Sequence, residues 1–292
     1  MRRMNQVNVG DEHPVFRSLW RVVNLLLLLA AIFTIGTGVR EYSVRKYLRG
    51  FSDAIIPEAA PAQEKVESIL AWMSNGPPRL EAPNPNQLSA HDPTDTLNYR
   101  QLLDVCGSAT NAFLNLSRSA GLQTRRLLLL TPERSTKHVV AEVLLSGRWV
   151  IVDATYRVVM KDARGNLLTR RELQDPRVFR EASSRIPNYV QEYSYENFAH
   201  VRLASLPLRG FHIRQLLDRV FPAWDEYLDW SLLLERRSYF LFILSLNFLI
   251  ALLLLRVLLA LIADHHFGMP RLHLRHNLSR ALAAFFSTPE IK

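Results

Sequence analysis

Two long apolar runs bracket this chain and leave it few ways to fold. Residues 22–39 carry no charge and include the leucine-rich block 25–33, with Arg17 and Arg21 before the run and Arg40 after it. Residues 239–255 are again uncharged, are interrupted by Arg256, and resume as residues 257–263. A helix crosses the hydrocarbon core of a bilayer in about 20 residues, and both runs approach or exceed that length. Both are apolar all round, which favours membrane helices over buried helices of a soluble core. They account for a hydrophobic content of 48%, high for a soluble domain. Arg256 is the weak point of the second run. A long cation near one end can snorkel to the interface, and Asn247 is the one amide close to it in that run. The first run is long for a signal peptide and residues 36–40 make a poor cleavage site, so it reads as an uncleaved anchor.

The spans divide the chain into a basic N-terminal tail (1–21), a first span (22–39), a helical and proline-rich lead-in (40–103), and a core with its extension (104–210). An aromatic juxtamembrane segment (211–238), a second span (239–263) and a basic amphipathic tail (264–292) follow. Arg2, Arg3, Arg17 and Arg21 on one tail, and Arg271, Arg275, Arg280 and Lys292 on the other, predict that both termini are cytoplasmic. The expectation is a protein of the inner (plasma) membrane with its middle domain outside the cytoplasm. Arg40, Arg45, Lys46, Arg49, Arg236 and Arg237 argue the other way. The net charge of +9 gathers beside the spans, where anionic lipid headgroups are the economical partner. No nucleic-acid motif is present, so no nucleic-acid partner is expected. Cys106 is the single cysteine, so internal disulfides are excluded and a zinc knuckle lacks its thiols. No metal and no cofactor are expected.

Within the lead-in, residues 40–51 continue the first helix. Residues 63–74 form another, with Val66, Ile69, Leu70 and Met73 on one face, and the proline-rich stretch 76–96 is loop. Residues 104–120 then carry a helical stripe of Val105, Ala109, Ala112, Phe113, Leu116 and Ala120, stopped by Gly121. Strands follow at 125–130, 138–145 and 148–153. Leucines 127–130 imply burial on both faces of the first, and Ser146-Gly147 signals a two-residue hairpin between the last two. Residues 161–166 form a turn, 170–180 an exposed helix containing Pro176, and a tyrosine-rich stretch holds Tyr189, Tyr193 and Tyr195. Trp224, Tyr227 and Trp230 suit either the headgroup region or packing on the domain.

Cys106 stands near the start of its helix, where the macrodipole favours thiolate. His138 heads one strand and Asp153 ends the next, so the hairpin brings them to one edge of the sheet. Such a trio supplies a nucleophile, a base that takes the thiol proton, and a carboxylate that fixes the imidazole tautomer. His91, His200 and His212 are rival bases, but none heads a strand paired to an aspartate.

The blocks 105–110 (Val-Cys-Gly-Ser-Ala-Thr) with 120–125 (Ala-Gly-Leu-Gln-Thr-Arg), 138–143 (His-Val-Val-Ala-Glu-Val) and 147–155 (Gly-Arg-Trp-Val-Ile-Val-Asp-Ala-Thr) resemble the transglutaminase-like superfamily. This is a branch of the papain-like fold. The resemblance covers residues 104–156. It implies an α+β core, a cysteine helix packed on an antiparallel sheet, here flanked by two transmembrane helices. It implies Cys106 as nucleophile, His138 as base, Asp153 as orienter, and Trp149 as a packing residue under the site. Glu142 shares the strand face of His138 and either buttresses the site or is solvated. The oxyanion hole would use the backbone N–H of Cys106 and an upstream donor, for which Gln101 is the candidate and Asn98 and Tyr99 are alternatives. Val105 and Ala154 depart from the common family residues without removing a reacting group. The function so implied is a membrane-anchored cysteine enzyme acting on amide bonds of a peptide, protein or envelope polymer, as peptidase, amidase or transamidase. The competing expectation is a non-catalytic binding scaffold of a membrane complex.

Overall fold

The computed structural model describes residues 14–82, 84, 87–201, 217, 219–221, 224–227 and 229–267. The expected tails fall largely outside these residues, as do much of the aromatic segment 211–238 and the rival base His212. The described residues divide into two units, one within Met1–Gly38 and Phe242–Lys292, the other within Val39–Leu241.

The first unit is formed by parts of two helices, α1 (Pro14–Ile55) and, at the far end of the chain, Arg237–Phe267. Both are long and apolar enough to cross a membrane. Leucines and phenylalanines stand exposed along them, including Leu28, Phe33 and Leu254, where a soluble core helix would bury its apolar side chains. Thr37 and Ser245 pair hydroxyl to hydroxyl at 2.9 Å across the two helices, the kind of polar contact that joins helices in apolar surroundings. Arg256 has a partner that its sequence neighbourhood did not suggest. Its Nε donates to Asn24 Oδ1 at 2.8 Å and its guanidinium lies over Trp20, 4.9 Å from the ring centre. Asn247 instead donates to the carbonyl of Ile243 at 2.8 Å.

In the second unit, α2 (Ala62–Asn75) buries Val66, Ile69, Leu70 and Met73, the four residues its periodicity selects. The lead-in holds two short helices, α3 (Pro93–Asn98) and α4 (Arg100–Leu103), where a loop was expected through residue 96. The reason is local: Asp92 caps α3, accepting from the N–H of Thr94 at 3.0 Å, and Pro93 sits where a missing N–H costs nothing. Helix α5 (Cys106–Ser119) follows.

Five antiparallel strands come next: β1 (Thr124–Leu130), β2 (Thr136–Leu145), β3 (Arg148–Asp153), β4 (Val158–Val159) and β5 (Phe198–Ala199). They form one sheet in the order β4-β3-β2-β1-β5. The β2–β3 turn uses Ser146 at φ 50 and Gly147 at φ 79. Both central residues are left-handed, the geometry that matches strand twist in a two-residue hairpin. Ala141, Val143, Val150 and Val152 face α5, α2 and the end of α1, packing on Phe113, Leu116, Met73 and Leu48. Leu127, Leu129, Val140 and Ile151 face the other way, onto Phe179, Tyr189 and Tyr195. The run of leucines in β1 is thus buried from both sides. The architecture is α+β.

The expected helix 170–180 is two helices, α6 (Arg170–Leu173) and α7 (Pro176–Ser183). Pro176 cannot continue a helix interior but suits a first turn, and Asp175 caps α7 by accepting from the N–H of Arg177 at 2.8 Å. Of the aromatic segment, Trp224 is buried and lies 6.0 Å from Trp230, ring centre to ring centre.

Candidate active site

Helix α5 opens at Cys106 because Val105 is extended, with φ −104 and ψ 127, and offers no side-chain cap. The first turn therefore presents backbone N–H groups that no cap satisfies. Two bonds fasten that turn to the sheet. Thr110 Oγ1 donates to the carbonyl of Val139 at 3.0 Å, and Arg126 Nη2 donates to the carbonyl of Gly107 at 3.0 Å. The helix that opens at Cys106 is thus tied to the residue that follows His138.

The β2–β3 register pairs Ala141 with Val152, so one further step sets Asp153 opposite Val140. His138 lies two residues further along β2, on the same face. The pair is diagonal rather than side by side, and His138 Nε2 meets Asp153 Oδ2 at 2.8 Å. With Nε2 so engaged, Nδ1 remains for the thiol, and His138 is hydrogen-bonded to Cys106 as well. His138 is 2% exposed and Asp153 0%, while Cys106 is half-buried. Solvent therefore reaches the trio from the sulfur side.

The electrostatics follow from these contacts. Burial opposes charge on His138, but its bonds to Asp153 and Cys106 and the nearby charges outweigh this, raising it to about 9. The hydrogen bond from His138 draws the Cys106 thiol below its ordinary range against the opposing effect of burial; the imidazolium charge and the N–H groups of Val139 and Gly107 add to this. Each group is thus shifted toward its charged form, the thiol toward thiolate and the imidazole toward imidazolium.

The family model of the transglutaminase-like superfamily matches residues 49–154. Residues 49–154 form a transglutaminase-like domain. The match reaches upstream of the sequence blocks, to the end of α1 and through α2, helices that pack on the sheet face carrying α5. No curated protein and no solved structure matches the chain.

Beyond the matched residues, Asp153 and His138 meet tyrosines whose place in the sequence did not connect them to the site. Asp153 Oδ1 accepts from the N–H groups of Thr155 at 3.1 Å and Tyr156 at 3.3 Å, and Oδ2 also accepts from the hydroxyl of Tyr189 at 2.9 Å. A buried carboxylate needs such donors to stay ionised. Burial raises the Tyr189 hydroxyl well above the ordinary tyrosine range, keeping it a donor. Tyr193 stacks flat on His138, with ring centres 4.2 Å apart and planes 1° from parallel, while Tyr156 approaches the imidazole edge-on at 6.2 Å. The only prior signal was a cluster of tyrosines after α7.

The remaining candidates fall elsewhere in the domain. Gln101 lies on α4, the turn before the cysteine, and its Oε1 accepts from the N–H of Ala82 at 3.5 Å. Trp149 is not under the trio. It lies toward the hairpin end of β3, four residues from Asp153 and about 13 Å along the strand, with the guanidinium of Arg125 4.2 Å from its ring centre. Glu142 is buried and not solvated, its Oε2 held by Arg125 Nε at 2.6 Å. His200 Nε2 is 3.8 Å from the same oxygen. His91 precedes α3, and its carbonyl accepts from the N–H of Arg237 at 3.1 Å.

Proposed function

We propose that this protein is a membrane-anchored cysteine enzyme that cleaves or transfers amide acyl groups through a thioester on Cys106. The observation that carries the reading is the imidazole of His138, bonded on one side to the thiol and on the other to a fully buried carboxylate 2.8 Å away. The Cys106 thiolate attacks the amide carbonyl carbon, forming the C–S bond and an oxyanion. The backbone N–H of Cys106 and the amide of Gln101 would receive that charge. A glutamine whose oxygen is held by Ala82 has its NH2 group to offer. As the C–N bond breaks, the imidazolium gives its proton to the leaving amine. Water or a second amine then attacks the thioester, the neutral imidazole takes its proton, and the thiolate is released. Peptides, proteins and envelope polymers all carry the amide the scheme requires.

The basic tails and the two apolar helices support a placement with both termini in the cytoplasm and the domain outside it. A reporter fused near Pro83 that works only outside the cytoplasm tests this; a silent fusion moves the domain inside. The chemistry is tested by treating the full-length protein with a peptide-like acyl electrophile at about pH 6–7, below the ordinary thiol range. Stoichiometric acylation of Cys106, abolished in His138→Asn, is the expected result. Reaction no faster than that of a free thiol would favour a binding scaffold instead.

A further inference from the structure

A cleft of about 520 Å³, lined in part by residues just before α5 and just after β3, takes no part in the reaction scheme. Its lining includes Arg79, Arg100, Arg157 and Asp104. Asp104 is two residues before the nucleophile, so the cleft wall reaches within about 7 Å of it along the backbone. Arg157 follows the other end of the trio, four residues after Asp153 on the loop whose Tyr156 meets His138.

Three guanidinium groups share this cleft with one lining carboxylate. Asp104 is already divided between Arg157 Nη2 at 3.1 Å and Arg100 Nε at 4.0 Å, which leaves positive charge uncompensated. Arg79, on which the Asp104 charge also acts, makes its contacts elsewhere: its Nη2 donates to the carbonyl of Trp72 at 3.0 Å and its guanidinium lies 4.3 Å from the Trp72 ring centre. Gly76 makes room for it, since a Cβ there would collide with the Trp72 carbonyl and lie 3.0 Å from Arg79 Nη2. The Nε of Arg79 is buried without a hydrogen-bond partner among the described residues. Burial, and then the like charge of Arg157, lower the pKa of Arg79. A chain gains nothing in stability from crowding arginines in this way; a bound anion would relieve the repulsion.

We propose that the cleft of Arg79, Arg100 and Arg157 is an anion subsite that reads a carboxylate on the amide substrate, so that the domain selects acidic peptides. This deepens the cysteine-enzyme reading and rests on it for the word substrate. Guanidinium forks suit phosphate as well as carboxylate; the position beside an amide-directed nucleophile favours the carboxylate of an acidic peptide.

The test compares two alkylating reagents on the full-length protein, anionic iodoacetate and neutral iodoacetamide, at Cys106. Iodoacetamide reports the thiolate alone, and the rate ratio of the two reports the field of the cleft. Arg100→Gln and Arg79→Gln should each lower the ratio by about two- to tenfold, and Asp104→Asn should raise it by a similar factor. Arg100 is 72% exposed with one ion-pair contact at 4.0 Å, so that variant reads the subsite without endangering the fold. In parallel, glutarate should slow iodoacetamide alkylation of the wild type, while inorganic phosphate and neutral glutaramide should not. A ratio indifferent to Arg100→Gln and Arg79→Gln overturns the subsite, and equal protection by phosphate overturns its assignment to carboxylate. Slow iodoacetamide reaction with an intact ratio shift would sink the nucleophile but not the cleft, so the two failures are distinguishable.

Discussion

The sheet carries two buried histidine–carboxylate neighbours, and only one has the makings of a base. His138 and Glu142 lie on the same face of β2, four residues apart. His138 faces Asp153 at 2.8 Å, and that carboxylate is supported by neutral donors only, the N–H groups of Thr155 and Tyr156 and the hydroxyl of Tyr189. His200 faces Glu142 at 3.8 Å, but Arg125 already holds that carboxylate at 2.6 Å, and the Nδ1 of His200 is bound 2.7 Å from the carbonyl of Arg126. The outcomes are opposite. His138 is raised to about 9, whereas burial, aided by the charge of Arg125, lowers His200. A buried histidine beside an acid is not enough. The acid must be free of an arginine, and one ring nitrogen must face the group to be deprotonated.

The contrast can be broken first at His138. His138→Asn should return Cys106 to the range of a free thiol, near 8.5, and slow iodoacetamide alkylation at pH 6 by roughly one to two orders of magnitude. Asp153→Asn should have the next largest effect, about tenfold at neutral pH, because the imidazolium loses the charge that sustains it; a pH–rate profile would show the limb assigned to His138 moving down from about 9. His200→Asn should leave that profile in place while costing about 1–3 kcal/mol in denaturant stability, the cost of an unpaired buried carbonyl. A shifted profile would erase the distinction between the two sites. Tyr189→Phe should cost about 1–2 kcal/mol in the same measurement and leave the alkylation rate within a few-fold. The remaining comparison concerns pH. The folded-state pKa of His138 lies above its unfolded value, so its stabilising contribution is complete below about pH 6.5 and is lost as pH rises through about 9. Denaturation midpoints at pH 6 and pH 9.5 should therefore differ more in wild type than in Asp153→Asn.

The order Cys106, His138, Asp153 was readable because Cys106 opens α5, His138 lies near the start of β2 and Asp153 closes β3, and Ser146-Gly147 announces the hairpin that joins the last two. Spacing along one strand also put Glu142 on the face of His138. It could not show that Arg125 stands opposite Glu142 in the β1–β2 register and neutralises it. The tyrosines were illegible as site residues because residues 188–196 form neither helix nor strand, so no periodicity aims them. Asn24 and Arg256 meet across two helices from opposite ends of the chain, beyond the reach of any local pattern. Asp92-Pro93 and Asp175-Pro176, by contrast, carry cap signals in the sequence that the loop over 76–96 and the single helix over 170–180 passed over.

Tyr193, lying flat against His138, bears on the entropy of activation. An imidazole sandwiched by a parallel ring and held at Nε2 has already surrendered its rotamers in the resting protein. Little torsional freedom would remain to be lost in the tetrahedral intermediate of the proposed reaction, so that share of its barrier would be met during folding.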